Sequence, residues 1–402
     1  MFKFVRKGAL MLLAFSLVST TFVSCDDDDP NDNVVPPTVE VAPNTVSGVL
    51  TGKDGSFVVG ATVTLGSMTT TTDANGGYIF NDVKAGSYPI KAEAEGRISV
   101  EGTVEIKDAE TTQNEVWSAI LAKEIKKEVV VSKEEDVTAE IEPEVIPEND
   151  KAKVKVVTEI PADAVDTDSG TEVEEGDATI VISPIYNAGA SNSRSLVSRA
   201  STSSMLVGAT IACSVKNAKL KKPIKLSFNV DDVMANAASA MMNVGGGWSG
   251  ASSSVNGNVV TIEASDFGSY GLFLNVNFDL KSSVETIFEH TFDNLYGEKP
   301  MSVENVPYSY QSGMVIKAGA TVLEALLVEK LAFYYGFKTV NLQTKHPLNV
   351  VLPVGTKLDL KVTQKVNVIT ASIGGASVSG TNYGAVNVMT KATNRQHSGG
   401  MN

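Results

Sequence analysis

Residues 72–80 read Thr72-Asp73-Ala74-Asn75-Gly76-Gly77-Tyr78-Ile79-Phe80. They place a polar turn with two glycines directly before a short apolar strand. Glycine accepts the positive φ that tight hairpins require, so this turn predicts a reversal of the chain. Short β-branched runs recur on both sides of it, separated by turn sequences such as Lys53-Asp54-Gly55. The predicted strands cover residues 45–50, 60–65, 77–80, 88–94, 100–106 and 114–122. This density of short strands predicts a small β-sandwich.

The order of these motifs resembles the carboxypeptidase regulatory-like domain. The resemblance rests on Val46-Ser47-Gly48-Val49, Gly60-Ala61-Thr62-Val63-Thr64-Leu65, residues 72–80 and Val83-Lys84-Ala85-Gly86-Ser87-Tyr88-Pro89-Ile90. In that family the domain is a transthyretin-like sandwich that carries no catalytic residues of its own. The resemblance therefore implies an accessory or spacer role for residues 43–122.

More strands are predicted between residues 151 and 277, where Asn256-Gly257 between β-branched runs indicates a hairpin. Three features in this order resemble the end of ankyrin-type ZU β-sandwich modules. They are the proline-led strand Pro223-Ile224-Lys225-Leu226, then Trp248, and then the closing strand Phe267-Gly268-Ser269-Tyr270. Trp248 lies in a glycine-rich segment and is a candidate to stack on the sugar ring of a ligand. The simpler interpretation is that its indole packs into a core or an interface.

The remaining residues, 278–402, predict a smaller unit of strands and one helix. The helix is expected over residues 320–337, ended by Gly336, and it is too short and too polar to span a membrane. Residues 366–390 contain no charged side chain and mix small, polar and apolar residues. Two strands from this segment would suffice for a membrane β-hairpin, but an ordinary hairpin or a glycine-rich loop fits equally well.

Residues 1–25 have the features of a lipoprotein signal peptide. The segment begins with three basic residues, Lys3, Arg6 and Lys7. An uncharged run follows that is short for a membrane span but suits a secretory signal. Its ending, Phe22-Val23-Ser24-Cys25, resembles the lipobox of bacterial lipoproteins, in which the cysteine is diacylated. The acidic residues after it, within 26–42, resemble the tether of Bacteroidetes lipoproteins exported to the outer face of the outer membrane. The resemblance implies a lipid anchor on Cys25.

The composition excludes several classes of function. The chain has 33 basic and 47 acidic residues, a formal net charge of −14, and shows no cluster of Lys and Arg for binding nucleic acid. Its three histidines, His290, His346 and His397, are isolated, and it has only two cysteines. We therefore expect no metal site and no cofactor. No catalytic constellation is recognisable in the sequence, so we predict no catalytic residues and no enzymatic activity.

These patterns predict a mostly β protein, with tandem β-sandwich domains followed by a smaller α+β C-terminal unit. The expected order is a lipoprotein signal peptide (1–25), an acidic tether (26–42), a carboxypeptidase regulatory-like β-sandwich (43–122), a charged linker (123–150), a ZU-like β-sandwich (151–277) and an α+β unit with a flexible tail (278–402).

Taken together, the features resemble Bacteroidetes surface lipoproteins. Our leading hypothesis is a non-enzymatic lipoprotein, anchored at the exterior of the outer membrane, that binds or adheres to an extracellular glycan or protein. The alternative is an assembling or membrane-inserting, pore-forming-like surface protein, and it rests on the uncharged residues 366–390. A third hypothesis is a hydrolase whose site is built from residues distant in sequence, which would require a cleft with convergent polar groups.

Overall fold

The structure is a computed structural model that describes residues 44–108, 112–167, 178–186 and 201–394; for residues 334 and 345–349 it describes the backbone. The predicted signal peptide with Cys25 and the predicted tether lie outside the described residues. The same holds for His397 and the rest of the predicted tail.

Strands are labelled in chain order. Strands β1 to β13 are Thr45–Thr51, Thr62–Leu65, Met68–Thr71, Gly77–Phe80, Gly86–Glu93, Val100–Ile106, Thr112–Val116, Ala119–Ile120, Lys127–Val130, Val137–Ile141, Val156–Ile160, Val165–Thr167 and Thr179–Pro184. Strands β14 to β25 are Ser201–Cys213, Ala218–Leu220, Ile224–Asn229, Ser239–Asn243, Ser249–Gly250, Ser253–Asn256, Val259–Ala264, Gly268–Asn294, Met301–Ile316, Val340–Leu352, Thr356–Ile373 and Ala376–Asn394. Helix α1 is Asp232–Ala237, helix α2 is Val322–Tyr335, and Asp150–Ala152 form a 3-10 turn.

The first sandwich is built from two sheets that share one apolar core. A four-stranded sheet in the order β3-β2-β5-β6 packs against β4-β1-β7. The turn at residues 72–80 joins β3 to β4, and the Asp73 carboxylate accepts hydrogen bonds from the Asn75 and Gly77 amides at 2.8 Å. Gly76 has a φ of +67°, and a Cβ there would lie 2.5 Å from the Leu50 carbonyl oxygen. Glycine is therefore required at this turn for both its conformation and its space.

The second sandwich packs the five-stranded sheet β10-β11-β16-β20-β19 against β13, β14 and the first third of β21. Alternate residues of facing strands fill the space between the sheets, as the two-residue period of a strand requires. Phe228 and Ile262 point in from one sheet and Ile182 and Tyr270 from the other, all fully buried. The hairpin predicted around Asn256-Gly257 is confirmed, because Asn256 pairs with Val259 across the turn.

Long strands connect the two sandwiches. Within the described ranges one sheet has 14 strands, and its main path runs β4-β1-β7-β25-β24-β21-β14-β13-β9. Strand β21 continues without a break through residues 277 and 278, where the sequence suggested a domain boundary. Strand β25, the last that the structure describes, is hydrogen-bonded to β7 of the first sandwich through pairs such as Val386 with Asn114. All described residues belong to one compact unit, Pro36–Asn402.

Helix α2 has apolar residues on every side, with three charged residues among them, and packs among the elements around it. Leu326 enters the core of the second sandwich and Phe333 enters that of the first. Leu327 and Leu331 pack on the middle of β21 and on the ends of β24 and β25 that form their hairpin. A helix that is hydrophobic all round is stable only when it is buried on all sides. Thr321 and Glu324 form a capping box at its start.

The mostly β class predicted from the sequence is confirmed. The helix expected over 320–337 forms as α2 and ends before Gly336, which has a φ of +78°. Residues 231–242 are rich in alanine and methionine, which favour a helix, but helix α1 ends at Ala237 and Ser239–Asn243 pairs with β21 instead. In that segment the hydrogen bonds offered by a long neighbouring strand override the helix propensity of alanine and methionine.

Candidate binding groove

A groove of about 780 Å³ lies where the first sandwich meets the long C-terminal strands. Its lining from the first sandwich comes from β6, β7 and the residues beside them, including Glu105, Gln113 and Glu115. Its remaining lining comes from β21, β24 and β25, together with Gly313 of β22 and Tyr335 at the end of α2. The groove therefore exists only because β7 and β25 pair, which brings residues far apart in sequence to one surface.

Hydroxyl and amide groups from three neighbouring strands form one side of the groove. Ser282 of β21 lies opposite Asn367 of β24, and Asn367 lies opposite Asn382 of β25. The Ser282 hydroxyl donates a 2.7 Å hydrogen bond to the Asn367 side-chain carbonyl, which fixes the direction of that amide. Tyr383 and Asn387 continue the row along β25. The amides and the tyrosine are half-buried, so they are held in place but remain accessible.

The sheet face that lines the groove is polar within the groove and apolar beside it, where α2 covers it. Asn367 and Ile369 are two positions apart on β24 and share a face. Ile369 is fully buried beneath Leu327 and Leu331 of α2. Where α2 ends, at Tyr335, the sheet loses this cover. The groove is thus the uncovered continuation of the surface that α2 occupies.

Glu115 is the titratable group in the groove with the largest change of pKa. Burial raises the pKa of its carboxyl to about 7, while Lys365 and a hydrogen bond from Gln113 act in the opposite direction. The Gln113 amide nitrogen lies 3.3 Å from the Glu115 carboxylate. Both protonation states of Glu115 are therefore populated near neutral pH. Glu105 and Lys107 also act on this carboxyl, and the groove holds carboxylates and ammonium groups in balance.

Buried hydrogen bonds hold the two sides of the groove together. The Ser47 hydroxyl lies 2.8 Å from the Tyr310 hydroxyl and donates to the Asn114 side-chain carbonyl at 3.0 Å. The hydroxyls of Ser118 and Ser312 also contact each other. Both contacts connect the first sandwich to β22. Because they are buried, breaking them would leave unsatisfied polar groups, so the sides are fixed relative to each other.

A buried ion pair fixes α2, which closes one end of the groove through Tyr335. The Glu329 carboxylate accepts a hydrogen bond from the Lys53 ammonium at 2.5 Å and from the Ile146 amide at 2.9 Å. Lys53 lies over the ring of Tyr186 at 4.6 Å from its centroid. Burial raises the pKa of the Tyr186 hydroxyl to about 12, so the ring stays neutral beside the cation.

Trp248, the sequence-predicted ligand residue, lies elsewhere. It is half-buried directly before β18, and its ring packs on Phe273 with centroids 4.8 Å apart. The Asn243 side chain accepts hydrogen bonds from the amides of Gly245 and Gly247, which shapes the loop before the tryptophan. Trp248 does not line the groove. Cys25, the predicted lipidation site, lies outside the described residues.

Sequence reasoning singled out part of the groove but not its role. Asn367, Asn382, Tyr383 and Asn387 all belong to the uncharged residues 366–390, which the structure arranges as a hairpin of β24 and β25. Asparagines at positions that share a face with buried residues were the available signal. Glu115 and Lys365 gave no signal, because only the pairing of β7 with β25 brings their strands together.

In the part of the chain that the structure describes, no group of three or more His, Cys, Asp or Glu residues could hold a metal ion. Among the same residues, no helix combines the length and hydrophobicity needed to cross a bilayer. The groove is a cleft with convergent polar groups, which is the feature that the hydrolase hypothesis required.

Comparison with solved structures finds distant likenesses over most of the chain. A candidate membrane-associated protein of unknown function from Bacteroides fragilis is 13% identical, with a TM-score of 0.34, and the alignment covers 88% of this chain and 99% of that one. A candidate pore-forming toxin from Bacteroides vulgatus is 9% identical, with a TM-score of 0.28 and coverages of 90% and 96%. The major pilin subunit of Bacillus cereus is 9% identical, with a TM-score of 0.18 and coverages of 89% and 96%. Likenesses at these TM-scores carry no argument about this chain.

No curated protein sequence matches the chain at a significant level. The family profile of the carboxypeptidase regulatory-like domain matches residues 45–116. The matched residues begin with β1 and end with β7, which is the extent of the first sandwich's own strand framework. Residues 45–116 are therefore a carboxypeptidase regulatory-like domain, as the motifs of the sequence predicted.

Proposed function

We propose that this chain is a non-enzymatic binding module of the cell surface and that the groove beside β7 and β25 binds an extracellular oligosaccharide. The groove of about 780 Å³, with its row of fixed amide and hydroxyl groups, carries the proposal. A lipid on Cys25 would hold the protein on the outer membrane, facing the exterior. The second sandwich would be a ZU-like support, a view that rests on the order of its proline-led strand, Trp248 and closing strand.

The chemistry of the groove suits a sugar chain better than a charged ligand. Carboxylates and ammonium groups balance in its lining, so it has no excess of one charge to select an ionic partner. Ser282, Asn367 and Asn382 offer donors and acceptors at spacings set by the sheet, and sugar hydroxyls require both. Tyr383 adds an aromatic ring that can cover an apolar sugar face. The volume lies in the range typical of small-molecule sites.

A glycan array followed by calorimetry with the purified protein tests this proposal. We expect Asn382→Ala and Tyr383→Ala to weaken binding at least tenfold, because each removes a contact from the groove. Ser377→Ala, in the same hairpin but outside the groove, is the matched control and should bind as the parent does. If Trp248→Ala abolishes binding while the groove variants keep it, the site is the tryptophan loop and the groove proposal fails.

The absence of catalysis needs its own measurement, since the groove contains Glu105 and Glu115. We expect every bound oligosaccharide to be recovered intact after prolonged incubation, as judged by chromatography. Shorter products that disappear in Glu115→Gln would make the protein a hydrolase and overturn the non-enzymatic proposal.

Anchoring is tested separately from binding. Metabolic labelling with a radioactive fatty acid should label the parent chain and not Cys25→Ser, and protease added to intact cells should degrade the parent. An unlabelled parent chain would refute the anchor. It would leave the groove proposal intact, because binding is measured on purified protein.

A second candidate function, membrane insertion, is favoured by the two faces of the β24–β25 hairpin. Ile369 and Ala371 on one face are buried beneath α2, whereas Thr370 and Ser372 lie on the opposite face. The Thr370 hydroxyl lies 2.7 Å from that of Ser379 across the strands. Alternating apolar and polar faces are the pattern of membrane hairpins, and here the apolar face would become available only if α2 moved away.

Measurements with liposomes distinguish membrane insertion from a function limited to glycan binding. With a fluorophore attached at Ser377→Cys, in a Cys213→Ser background, the emission maximum would shift to shorter wavelength when the hairpin enters lipid. Dye trapped inside the liposomes would then escape. The same fluorophore at Ser254→Cys, exposed in the second sandwich, is the control and should not shift. No shift and no dye release with vesicles of anionic and neutral lipid would eliminate membrane insertion.

A further inference from the structure

Among the residues that the structure describes, a long stretch of β21 has a neighbouring strand on one side only. From Asn277 to Asn294 it pairs with β24, with one bulge at Ile287. On its other side β14 pairs with β21 only as far as Ser201 with Asn277, and no described strand continues along that side. Alternate residues of a strand direct their backbone groups to opposite sides, so half of these amides and carbonyls point away from β24. Such an edge is a template for the addition of another strand.

This edge is accessible in its central part. Residues 281–286 are all exposed, so both faces of the strand are open there. Val284 is 67% exposed, which is high for an aliphatic residue in a strand of a large sheet. Soluble proteins commonly protect an edge with charges and bulges. Here the bulge at Ile287 lies just beyond the exposed residues and limits the length of edge that can pair, while residues 280–286 remain regular.

The charges on this edge are complementary to themselves. If two copies of β21 run antiparallel with Ser283 on a two-fold axis, Lys281 of each copy lies opposite Glu285 of the other. Lys281 and Glu285 lie four positions apart and share a face of the sheet, so the paired side chains meet on one surface. Opposite charges directly across two strands stabilise the pair. The same operation places Ser282 opposite Val284 and introduces no like-charge pair within residues 280–286.

We propose that two copies of this chain associate through the β21 edge, antiparallel and centred on Ser283, so that the sheet continues across a two-fold axis. The interface is isologous, because the same residues contribute from both copies, and it closes as a dimer. This edge borders the groove, because Ser282, Ser283 and Val284 also line it, but the pairing of Lys281 with Glu285 needs no ligand in the groove.

Charge exchange tests the register directly. The compact unit, residues 36–402, is studied by analytical ultracentrifugation over a range of concentrations. Lys281→Glu places Glu opposite Glu285 twice in the dimer, and Glu285→Lys places Lys opposite Lys281 twice. We expect each change to raise the dimer dissociation constant by about tenfold or more. The double variant Lys281→Glu/Glu285→Lys should restore dimerisation, and an equimolar mixture of the two single variants should form a heterodimer.

The control is Lys361→Glu, which lies on the neighbouring strand β24 and not on the edge. It should dimerise as the parent does. A parent chain that stays monomeric at all concentrations would overturn the proposal, and so would single charge changes without effect. Hydrogen exchange gives a second measurement: the amides within residues 281–286 that point away from β24 should become protected as dimer forms. Protection of those amides in the monomer would mean that the edge is covered from within the same chain, which also overturns the proposal.

Discussion

The Lys53 ammonium lies 2.5 Å from the Glu329 carboxylate, although 276 positions separate the two residues in the chain. The side chains are 7% and 12% exposed, so the pair is shielded from water. Lys53 belongs to the first sandwich and Glu329 to α2, and the pair therefore fixes the helix against a domain that the sequence would describe as a separate module.

We expect Lys53→Met to lower the free energy of unfolding by about 3–5 kcal/mol, because it leaves the Glu329 carboxylate buried without its cation. Urea unfolding measures the effect. The matched control is Lys91→Met, which breaks the exposed pair with Glu93 and should change stability by less than about 1 kcal/mol. Equal losses in the two variants would contradict the assignment. The double variant Lys53→Met/Glu329→Leu should lose less than Lys53→Met alone, since no buried charge then remains unpaired.

Glu115→Gln should change how stability depends on pH. The folded state raises the pKa of Glu115 from 4.5 to about 7, so it binds the proton more tightly than the unfolded chain. Deprotonation therefore destabilises the folded protein progressively between pH 4.5 and pH 7, and fully above pH 7. Gln cannot lose a proton, so the variant should exceed the parent by about 1–2 kcal/mol at pH 8, after allowing for solvent screening. At pH 4.5 the difference should vanish. Unfolding curves measured across this range would disprove the shift if they remained parallel.

The capping box of α2 predicts a modest and specific effect. The Thr321 hydroxyl accepts a hydrogen bond from the Glu324 amide at 3.1 Å, and the Glu324 carboxylate accepts one from the Thr321 amide at 3.0 Å. Thr321→Ala removes one of these bonds and should destabilise the protein by about 1 kcal/mol. Thr321→Ser keeps the hydroxyl and should stay within about 0.3 kcal/mol of the parent. An equal loss in both variants, measured by thermal unfolding, would mean that the methyl group matters instead of the cap.

Substitution by alanine should destabilise the protein to very different extents at two glycines. A Cβ at Gly48 would lie 1.8 Å from the Trp117 carbonyl oxygen, a backbone atom that cannot move without breaking the first sandwich. A Cβ at Gly380 would lie 2.2 Å from the end of the Met314 side chain, which can adopt another rotamer. Gly48→Ala should therefore destabilise by more than about 3 kcal/mol and Gly380→Ala by about 1 kcal/mol. Comparable melting temperatures for the two variants would contradict this account.

Local signals in the sequence predicted local structure well. Asn256-Gly257 indicated a hairpin because few residues other than glycine tolerate the backbone of that turn, and Gly336 was expected to end a helix over residues 320–337, which forms as α2. The propensities of alanine and methionine favour a helix after Ala237, yet Ser239–Asn243 pairs with the long strand β21. The mostly β class followed from many such local signals that agreed.

The groove could not be predicted in the same way. Its residues come from β6, β7, β21, β24 and β25, and only pairing over long distances in sequence brings them together. Trp248 was a candidate ligand-binding residue because it is an aromatic residue among glycines, yet its ring packs on Phe273. The contact between Lys53 and Glu329 likewise had no signal in the sequence, because each is one of many charged residues until the fold pairs them.

The pairing of Asn114 with Val386 has a consequence for how the protein is made. The strands of the first sandwich are synthesised long before β25, the strand that continues their sheet beyond β7. Until β25 has been synthesised, the edge of β7 that pairs with it has no partner strand. Completion of this sheet is therefore a late event, and a nascent chain released before residue 386 would carry an unfinished first domain that is prone to pair with other chains.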